Sequence, residues 1–242
     1  MTRLRADRLL VERGLFESRA KAQAAIAAGR VTANAVVVHK ASDAIPINAE
    51  LHAQPEHPWV SRGGVKLAAA LDHFRIDPRG RACLDVGAST GGFSDVLLAR
   101  RARLIYAVDV GRDQLHGRLR QRSEIVSLEA TDIRALDPRS LAEAPDLVVV
   151  DVSFISLKLV LPAALRLAGF PADLVALIKP QFEAGRRGVK KGIVRDVAVQ
   201  ARVCEEIADV VASLGWRVAG ILPSPILGAS GNREFLLGGR RD

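Results

Sequence analysis

Two lysines and two carboxylates stand where side chains can carry out chemistry on a bound substrate. Asp151 ends the apolar run LVVVD, and Lys179 ends the apolar run LVALIK. A charged residue that terminates a buried parallel strand lies at the carboxyl edge of the sheet, where ligands of open α/β folds bind. Lys66 lies in SRGGVKL, on a predicted helix before the first strand of this sheet, and Glu234 lies in GNREFLL, within the predicted last strand. We expect these four side chains to converge on one crevice.

This set of groups suits the methylation of a ribose 2′-hydroxyl, in which a proton leaves as the oxygen attacks a methyl sulfonium. A lysine can serve as the base only if its pKa falls far below about 10, which burial and a nearby second cation would cause. We assign Lys179 as the base and Lys66 as the cation that lowers the pKa of Lys179 and positions the substrate. Asp151 would lie near the methyl group, and Glu234 would orient the lysines. Any one of the four taken singly is explained by a structural salt bridge.

The segment LDVGASTGGF, from Leu84 to Phe93, joins an apolar strand to a helical pattern through a glycine-rich turn. Glycines let the backbone approach a ligand closely, and helix N–H groups point at it, so the segment predicts a nucleoside-bearing cofactor. A purely structural strand–helix turn is the alternative. The predicted cofactor contacts in this segment are Asp85, Gly87, Ser89, Thr90, Gly91, Gly92 and Phe93.

The flanking acidic residues indicate which cofactor this is. The glycine spacing departs from the G-x-G-x-x-G of nicotinamide dinucleotides, and Asp85 is a poor neighbour for a pyrophosphate but a good one for a cationic sulfonium. These features favour S-adenosylmethionine over NAD. Asp109 ends the second strand of this sheet, where it can accept hydrogen bonds from a ribose diol. Asp132 follows the third strand, where it either accepts from the adenine amino group or caps a helix.

The elements that must position these residues form two domains. From residue 63 to 242, strands and helices alternate, which predicts an α/β, Rossmann-like parallel sheet. The last two strands have no helix between them, so we expect an antiparallel edge at the C-terminal end. The predicted elements are strands Ala82 to Val86, Leu104 to Val108, Ile125 to Leu128, Leu147 to Asp151, Leu174 to Ile178, Arg217 to Leu222 and Arg233 to Leu237, with helices from Ser94 to Arg101 and from Val197 to Leu214.

Residues 1–55 predict a small α+β domain, which a linker at 56–62 joins to the second domain. Its predicted elements are a helix stopped by Gly14, an alanine-rich helix from Ser18 to Gly29, and short strands near 31–33, 36–39 and 50–53. Arg19 and Lys21 begin the second helix, where cations oppose the helix dipole. Either an anion docks there or this is a solvated helix face.

The composition of the chain indicates which class of partner the protein binds and in which cellular compartment it resides. The net charge of +8 and pI of about 10.2 favour a polyanion such as nucleic acid, although arginine enrichment from genomic base composition would give the same charge. The segment Pro180 to Asp196 looks like a loop that contacts a phosphodiester backbone through Arg186, Arg187, Lys190 and Lys191. No apolar run reaches membrane-helix length, and no signal peptide is apparent. Cys83 and Cys204 are expected to be reduced core thiols in a cytosolic protein.

Several segments resemble, over essentially the whole chain, the TlyA (hemolysin A-type) family of ribosomal RNA 2′-O-methyltransferases: SRGGVKL, DVGASTGGFSDVLL, VVVDVSFISL, LIKPQFEAG and GNREFLL. The second domain is similar to FtsJ-like methyltransferases, whose Lys-Asp-Lys-Glu tetrad maps onto Lys66, Asp151, Lys179 and Glu234. The N-terminal segment RADRLLVERGLFESRAKAQAAIAAGRV resembles the RNA-binding module of the ribosomal-protein S-four type, which implies RNA contacts at Arg5, Ser18, Arg19, Lys21 and Arg30. Asn34-Ala35 replaces the usual glycine turn of that module, and Lys40-Ala41 replaces its Lys-Pro.

The resemblance implies ribosomal RNA as substrate, usually a cytidine ribose in one or both subunits. S-adenosylmethionine is the cofactor expected from the glycine turn, and the two isolated cysteines do not suggest a metal site. The sequence leaves the oligomeric state open. Three alternatives remain. The intact tetrad opposes a non-catalytic RNA-binding or ribosome-assembly protein on the same fold, and the glycine spacing opposes an NAD protein. The lack of a strongly amphipathic or apolar segment opposes the membrane lysis that the hemolysin name suggests.

Overall fold

The computed structural model describes residues 2–185, 189, 192–228 and 231–242, and the chain divides into two compact units, 1–58 and 59–242. The four basic positions predicted in the loop after Pro180, namely Arg186, Arg187, Lys190 and Lys191, lie outside the described residues.

The first unit packs two helices against short strands around its own apolar core. That core is built from residues such as Leu9, Leu10, Ile26 and Val31. The elements are β1 (Arg3–Arg5), α1 (Ala6–Glu12), α2 (Arg19–Ala27), β2 (Val31–Ala33), β3 (Val36–Val37), β4 (Ala44–Pro46) and β5 (Leu51–Ala53). The two strands β1 and β4 form one antiparallel pair, and β3, β2 and β5 form a three-stranded sheet in that order.

The hairpin between β2 and β3 forms without a glycine. Asn34 and Ala35 take φ values of 49° and 63°, the left-handed conformation that a two-residue hairpin requires at both central positions. The side chain of Asn34 accepts a hydrogen bond from the backbone N–H of Glu50 at 2.8 Å, which helps to hold this conformation. The predicted cap of α2 is also present, because Ser18 Oγ accepts from the backbone N–H of Lys21 at 3.3 Å.

The second unit is a seven-stranded sheet with helices on both faces. The elements are α3 (Gly63–Phe74), β6 (Ala82–Val86), α4 (Gly92–Ala99), β7 (Leu104–Val108), α5 (Gly117–Arg120), β8 (Ile125–Leu128), two 3₁₀ turns (Ile133–Ala135 and Pro138–Ser140), β9 (Leu147–Val150), α6 (Leu157–Arg166), β10 (Ala172–Ile178), α7 (Pro180–Glu183), α8 (Val197–Ser213), β11 (Arg217–Pro223) and β12 (Phe235–Arg241). The Rossmann-like α/β fold predicted from the alternating pattern is confirmed.

The strand order places the ligand crevice. The order is β11-β12-β10-β9-β6-β7-β8; β6 to β10 run parallel, and β12 is antiparallel to both of its neighbours. From β6 the chain proceeds outward through β7 and β8, then crosses back to β9 on the other side of β6. Such a switch point opens a crevice at the carboxyl ends of the two central strands. Here that crevice lies between the ends of β6 and β9.

Two apolar cores cover the faces of this sheet, and both cysteines lie in them. Leu84, Val148 and Ile207 belong to one core, and Leu67, Ile105 and Val149 belong to the other. Cys83 and Cys204 are buried and free, and burial raises the pKa of the Cys83 thiol to about 12.

The strand bounds differ from the predicted ones mainly at the C-terminal end. Glu234 does not lie within the last strand, as predicted, but directly before it, because β12 begins at Phe235, where its ladder with Pro223 starts. Before β12, the Gly228 N–H donates to the Asn232 carbonyl at 2.8 Å, and the Ser224 N–H donates to the Glu234 carbonyl at 2.9 Å. The helix predicted from Ser94 begins two residues earlier, at Gly92.

Candidate active site

Two adjoining cavities open at the carboxyl edge of the central strands. One, of about 450 Å³, is lined by Lys66, Lys179, Asp151 and residues of the glycine turn. The other, of about 590 Å³, is largely apolar and carries Asp109 and Asp132 on its wall. Both are lined by Gly87, Ser89, Asp151 and Ser153, so these residues form the boundary between the two spaces. We call the first the lysine cavity and the second the apolar cavity.

The glycine turn needs its glycines for two different reasons. Gly87 has φ +83°, and a Cβ at this position would collide with the carbonyl oxygen of Asp151. It therefore lets the turn pack closely against the end of β9. Gly91 has φ +92°, and a Cβ there would collide with Leu119. Gly87 lines both cavities and Gly92 lines the lysine cavity, whereas Gly91 lines neither, so the structure gives Gly91 a packing position.

Asp85 lies beneath this turn and lines neither cavity. Its carboxylate is fully buried; Oδ2 accepts from Ser94 Oγ at 2.6 Å, and Oδ1 has no hydrogen-bond partner among the described residues. Burial raises the pKa of this carboxyl group to about 7, helped by the nearby charge of Asp151 and opposed by Ser94. A buried carboxylate with an unsatisfied oxygen is a group that a cation close by would stabilise.

The two predicted nucleoside contacts differ in how far their carboxylates are already used. Asp109 accepts from the backbone N–H of Ser89 and of Gly111, each at 2.7 Å. Each carboxylate oxygen can accept a second bond, so capacity remains for a ribose diol. Asp132 caps the 3₁₀ turn Ile133–Ala135 and binds the guanidinium of Arg134, which lowers the pKa of Asp132. Asp132 therefore caps a helical turn, and because it also lines the apolar cavity, its contact with an adenine amino group stays a prediction.

Lys179 and Asp151 form the first of two buried ion pairs. Lys179 Nζ lies 2.5 Å from Asp151 Oδ1 and donates to Ser153 Oγ at 2.8 Å. The lysine is only 8% exposed, and it directly follows the carboxyl end of β10, beside the end of β9. The contact with Ser153 is a hydrogen bond, whereas the contact with Asp151 is an ion pair without hydrogen-bond geometry among the described residues.

Lys66 and Glu234 form the second pair. Lys66 Nζ lies 2.5 Å from Glu234 Oε2, and both side chains are buried. The backbone at Gly228 makes room for this carboxylate, because a Cβ there would collide with Glu234 Oε1. Glu234 therefore provides a carboxylate partner for the positive charge of Lys66. The four predicted positions thus fall into two lysine–carboxylate pairs, and three of them line the lysine cavity.

Among the cavity residues that were not predicted as site residues, four carry polar groups or an exposed ring next to predicted positions. Ser61 and Arg62 line the lysine cavity, where Arg62 also donates to the carbonyl of Leu227 at 2.5 Å. Ser153 lines both cavities. Phe154 lines the apolar cavity; this residue is 92% exposed, and its backbone φ is +64°. These residues lie in the segments SRGG, just before Lys66, and DVSF, which begins with Asp151, so their proximity to predicted positions is the sequence feature that indicates them.

The predicted anion site of the first unit contains an anion of its own. Arg19 pairs with the buried carboxylate of Asp7, as does Arg5, and Lys21 pairs with Glu17. The cations at the start of α2 therefore have intramolecular partners, and their position does not by itself indicate a bound ligand. Arg30 is exposed at the end of the same helical segment.

The residues present fit S-adenosylmethionine. Val86, Val108, Val110 and Ile133 give the apolar cavity walls suited to an adenine ring, and Asp109 stands where a ribose would bind. The unsatisfied Oδ1 of Asp85 supplies negative charge behind the turn, as a sulfonium and an amino group require. Within the described residues, no group of three or more His, Cys, Asp or Glu side chains is arranged to hold a metal ion. No helix in the described part of the chain is long and apolar enough to cross a membrane.

Comparison with known proteins identifies the family. The FtsJ-like methyltransferase model matches residues 59–241. The chain is 44% identical over 238 residues to the 16S/23S rRNA (cytidine-2′-O)-methyltransferase TlyA of Mycobacterium tuberculosis, covering 97% of this chain and 89% of that protein. It is 37% identical to Hemolysin A of Brachyspira hyodysenteriae, covering 96% and 98%. The solved structure of a hemolysin-like protein from Streptococcus thermophilus superposes with a TM-score of 0.78 at 40% identity, covering 100% of this chain and 89% of that one. The chain therefore belongs to the FtsJ-like methyltransferase family and is an S-adenosylmethionine-dependent methyltransferase.

Proposed function

We propose that this enzyme transfers a methyl group to the ribose 2′-hydroxyl of a cytidine in ribosomal RNA. The observation that carries the proposal is the lysine cavity, in which the Lys179–Asp151 pair lies beside the boundary shared with the apolar cavity. The 44% identical relative, named for cytidine 2′-O-methylation of 16S and 23S rRNA, supports the choice of acceptor.

In this proposal the apolar cavity holds the nucleoside part of the cofactor. Bound S-adenosylmethionine supplies an electrophilic methyl group on a sulfonium. Its methionine part extends past Gly87 and Ser89, which line both cavities, to the side of the lysine cavity lined by Thr90, Gly92 and Phe93. Asp109 accepts from its ribose. Asp85 favours a positively charged ligand through its buried carboxylate, and Gly91 acts only through the shape of the turn.

The acceptor ribose occupies the lysine cavity. Asp151 and Ser153 hold Lys179 Nζ in one place at the cavity boundary. In its neutral form, this nitrogen would accept the proton that the 2′-hydroxyl loses when its oxygen is methylated. Lys66, fixed by Glu234, positions the ribose, and the proton then passes from Nζ to solvent.

The first unit and the loop after α7 supply the RNA contacts in this proposal. Those of the first unit are Arg5, Ser18, Arg19, Lys21 and Arg30, and those of the loop are the basic residues outside the described part of the chain. Ribosomal subunits in the cytoplasm are then the partners, in line with the rRNA methyltransferase to which the chain is similar. Contacts to phosphates would position the enzyme on this RNA without reading its sequence.

The direct test is transfer of labelled methyl from S-adenosylmethionine to ribosomal subunits from cells that lack this enzyme. We expect label on a cytidine 2′-oxygen, found by nuclease digestion and mass spectrometry, and loss of label in Lys179→Ala. Lys158→Ala is the matched control, because Lys158 also pairs with a carboxylate, Glu206 at 2.6 Å, but lies on the exposed face of α6. Label on a base, or full activity of Lys179→Ala, would overturn the proposal.

A further inference from the structure

The carboxylate of Asp7 in α1 is a hub that collects three side chains. Arg5 donates to it through Nε and Nη2, at 3.0 and 3.1 Å, and Arg19 donates through the same two nitrogens at 3.2 and 2.8 Å. Gln23 adds a bond from Nε2 at 2.8 Å. Asp7 itself is fully buried. One anion in the interior thus holds two cations from different elements, the end of β1 and the start of α2.

The two arginines are held at the surface. Their side chains are 50% and 57% exposed, whereas that of Asp7 is 0% exposed. Each guanidinium uses its Nε–Nη2 edge on Asp7, and within the described residues neither Nη1 has a hydrogen-bond partner. The cluster carries a net charge of +1, with the negative charge inside and the unused N–H groups outside.

This arrangement is more than a fold needs to bury one carboxylate. Burying an ion pair seldom stabilises a protein more than an apolar residue of similar size would, so a buried carboxylate with two surface guanidiniums is weak evidence of a purely stabilising role. A guanidinium already fixed by a partner loses less side-chain entropy when it binds a second anion. Arginine also matches the geometry of a phosphate through paired N–H donors.

We propose that Asp7 is a positioning residue that presents Arg5 and Arg19 together to one phosphate group of the RNA backbone. This rests on the proposed function, which makes RNA the substrate and these arginines its contacts. Asp7 does not touch the RNA; it acts through the arginines. The guanidinium of Arg5 keeps the pKa of Asp7 well below its ordinary range, so the carboxylate stays charged at neutral pH.

The substitution Asp7→Asn separates this role from simple charge. Removing a negative charge near an RNA-binding surface should by Coulomb attraction alone strengthen binding. Loss of positioning should weaken it instead, so we expect the KM for ribosomal subunits to rise about tenfold. The kcat and the KM for S-adenosylmethionine should not change. The measurement is methyl transfer by the full chain to subunits from cells that lack the enzyme.

Glu12→Gln is the matched control. It removes one negative charge from the same helix, but its partner Arg8 is exposed and lies outside the cluster. We expect its KM for subunits to stay the same or fall. If Asp7→Asn is folded and its KM matches that of Glu12→Gln, the proposal is wrong.

Charge-preserving variants decide the matter if Asp7→Asn fails to fold. Arg5→Lys and Arg19→Lys keep the charge but lose the two-nitrogen grip on Asp7. Both should raise the KM for subunits several-fold, whereas Arg8→Lys should not, and thermal unfolding should show all three folded. Equal KM values for the three overturn the positioning role. A wild-type chain that transfers no methyl group to subunits is a different result, because it overturns the proposed function itself.

Discussion

Lys179 Nζ lies 2.5 Å from Asp151 Oδ1, although the two residues are 28 positions apart in the chain. The two residues follow β10 and β9, which are parallel neighbours whose ladder pairs Ala176 with Val150. Strand pairing therefore brings the amine and the carboxylate together at the edge of the sheet. Asp151 lines both cavities, whereas both lysines line only the lysine cavity. Because Lys179 is the lysine paired with Asp151, we propose it rather than Lys66 as the base.

The choice of base can be tested with Lys179→Arg and Lys66→Arg. Arginine keeps the positive charge but cannot lose its proton at accessible pH. We expect Lys179→Arg to lose about 10²- to 10⁴-fold in kcat, the usual contribution of a general base, and Lys66→Arg to keep more activity. The readout is the pH–rate profile of methyl transfer, with S-adenosylmethionine binding measured as a control. Retained activity in Lys179→Arg would exclude Lys179 as the base.

Ser153 should help to position Lys179. Its hydroxyl accepts from Lys179 Nζ at 2.8 Å and lines both cavities. In Ser153→Ala we expect kcat to fall several-fold, consistent with loss of a hydrogen bond worth about 1 kcal/mol or more, and Ser153→Thr to restore it. Steady-state kinetics for both substrates will check this. If Ser153→Ala changes only the KM for RNA, Ser153 contacts the substrate rather than the lysine.

Gly87→Ala should damage both the turn and the cofactor site. The new Cβ meets the carbonyl of Asp151, and the backbone φ of +83° is unfavourable for alanine. We expect a loss of at least about 1 kcal/mol in the free energy of unfolding and weaker binding of S-adenosylmethionine. Gly117→Ala is the control, since nothing lies within 4 Å of its Cβ position. Chemical denaturation and calorimetric titration are the measurements, and equal behaviour of the two variants would contradict the prediction.

Asp85 should make stability depend on pH. Its pKa is about 7 in the folded protein, against an ordinary value of 3.8, so between these values the folded protein holds a proton that the unfolded chain has released. The free energy of unfolding should therefore fall as pH rises from about 4 to about 7, by at most about 1.4 kcal/mol per pH unit, and be constant above.

The variant Asp85→Asn isolates this effect, because asparagine keeps an acceptor for Ser94 but has no proton to lose. We measure the free energy of unfolding of both proteins by urea denaturation without cofactor. The value for Asp85→Asn minus that for the wild type should increase as pH rises from 5 to 8. A difference between the two proteins that does not vary with pH would show that Asp85 does not titrate in this range.

Local pattern was sufficient for much of the second unit. The predicted bounds of β6, β7 and β8 agree with the structure, because buried parallel strands appear as short apolar runs and turn residues end them. The acidic residue or lysine that follows such a run must then lie at the carboxyl edge. This is why Asp109, Asp151 and Lys179 could be placed before any contact was known.

Other features depended on residues far apart in the chain. Lys66 and Glu234 are 168 positions apart, and no periodicity indicates that they pair. Glu234 precedes β12, near the hydrogen bond from the Gly228 N–H to the Asn232 carbonyl, and Arg19 at the start of α2 is paired with Asp7, on another helix. The sequence by itself determined the strands, the glycine turn and the residue types at the sheet edge, since these follow from local sterics and burial. Only the tertiary structure decided which lysine joins which carboxylate, because that depends on strand order and chain crossing.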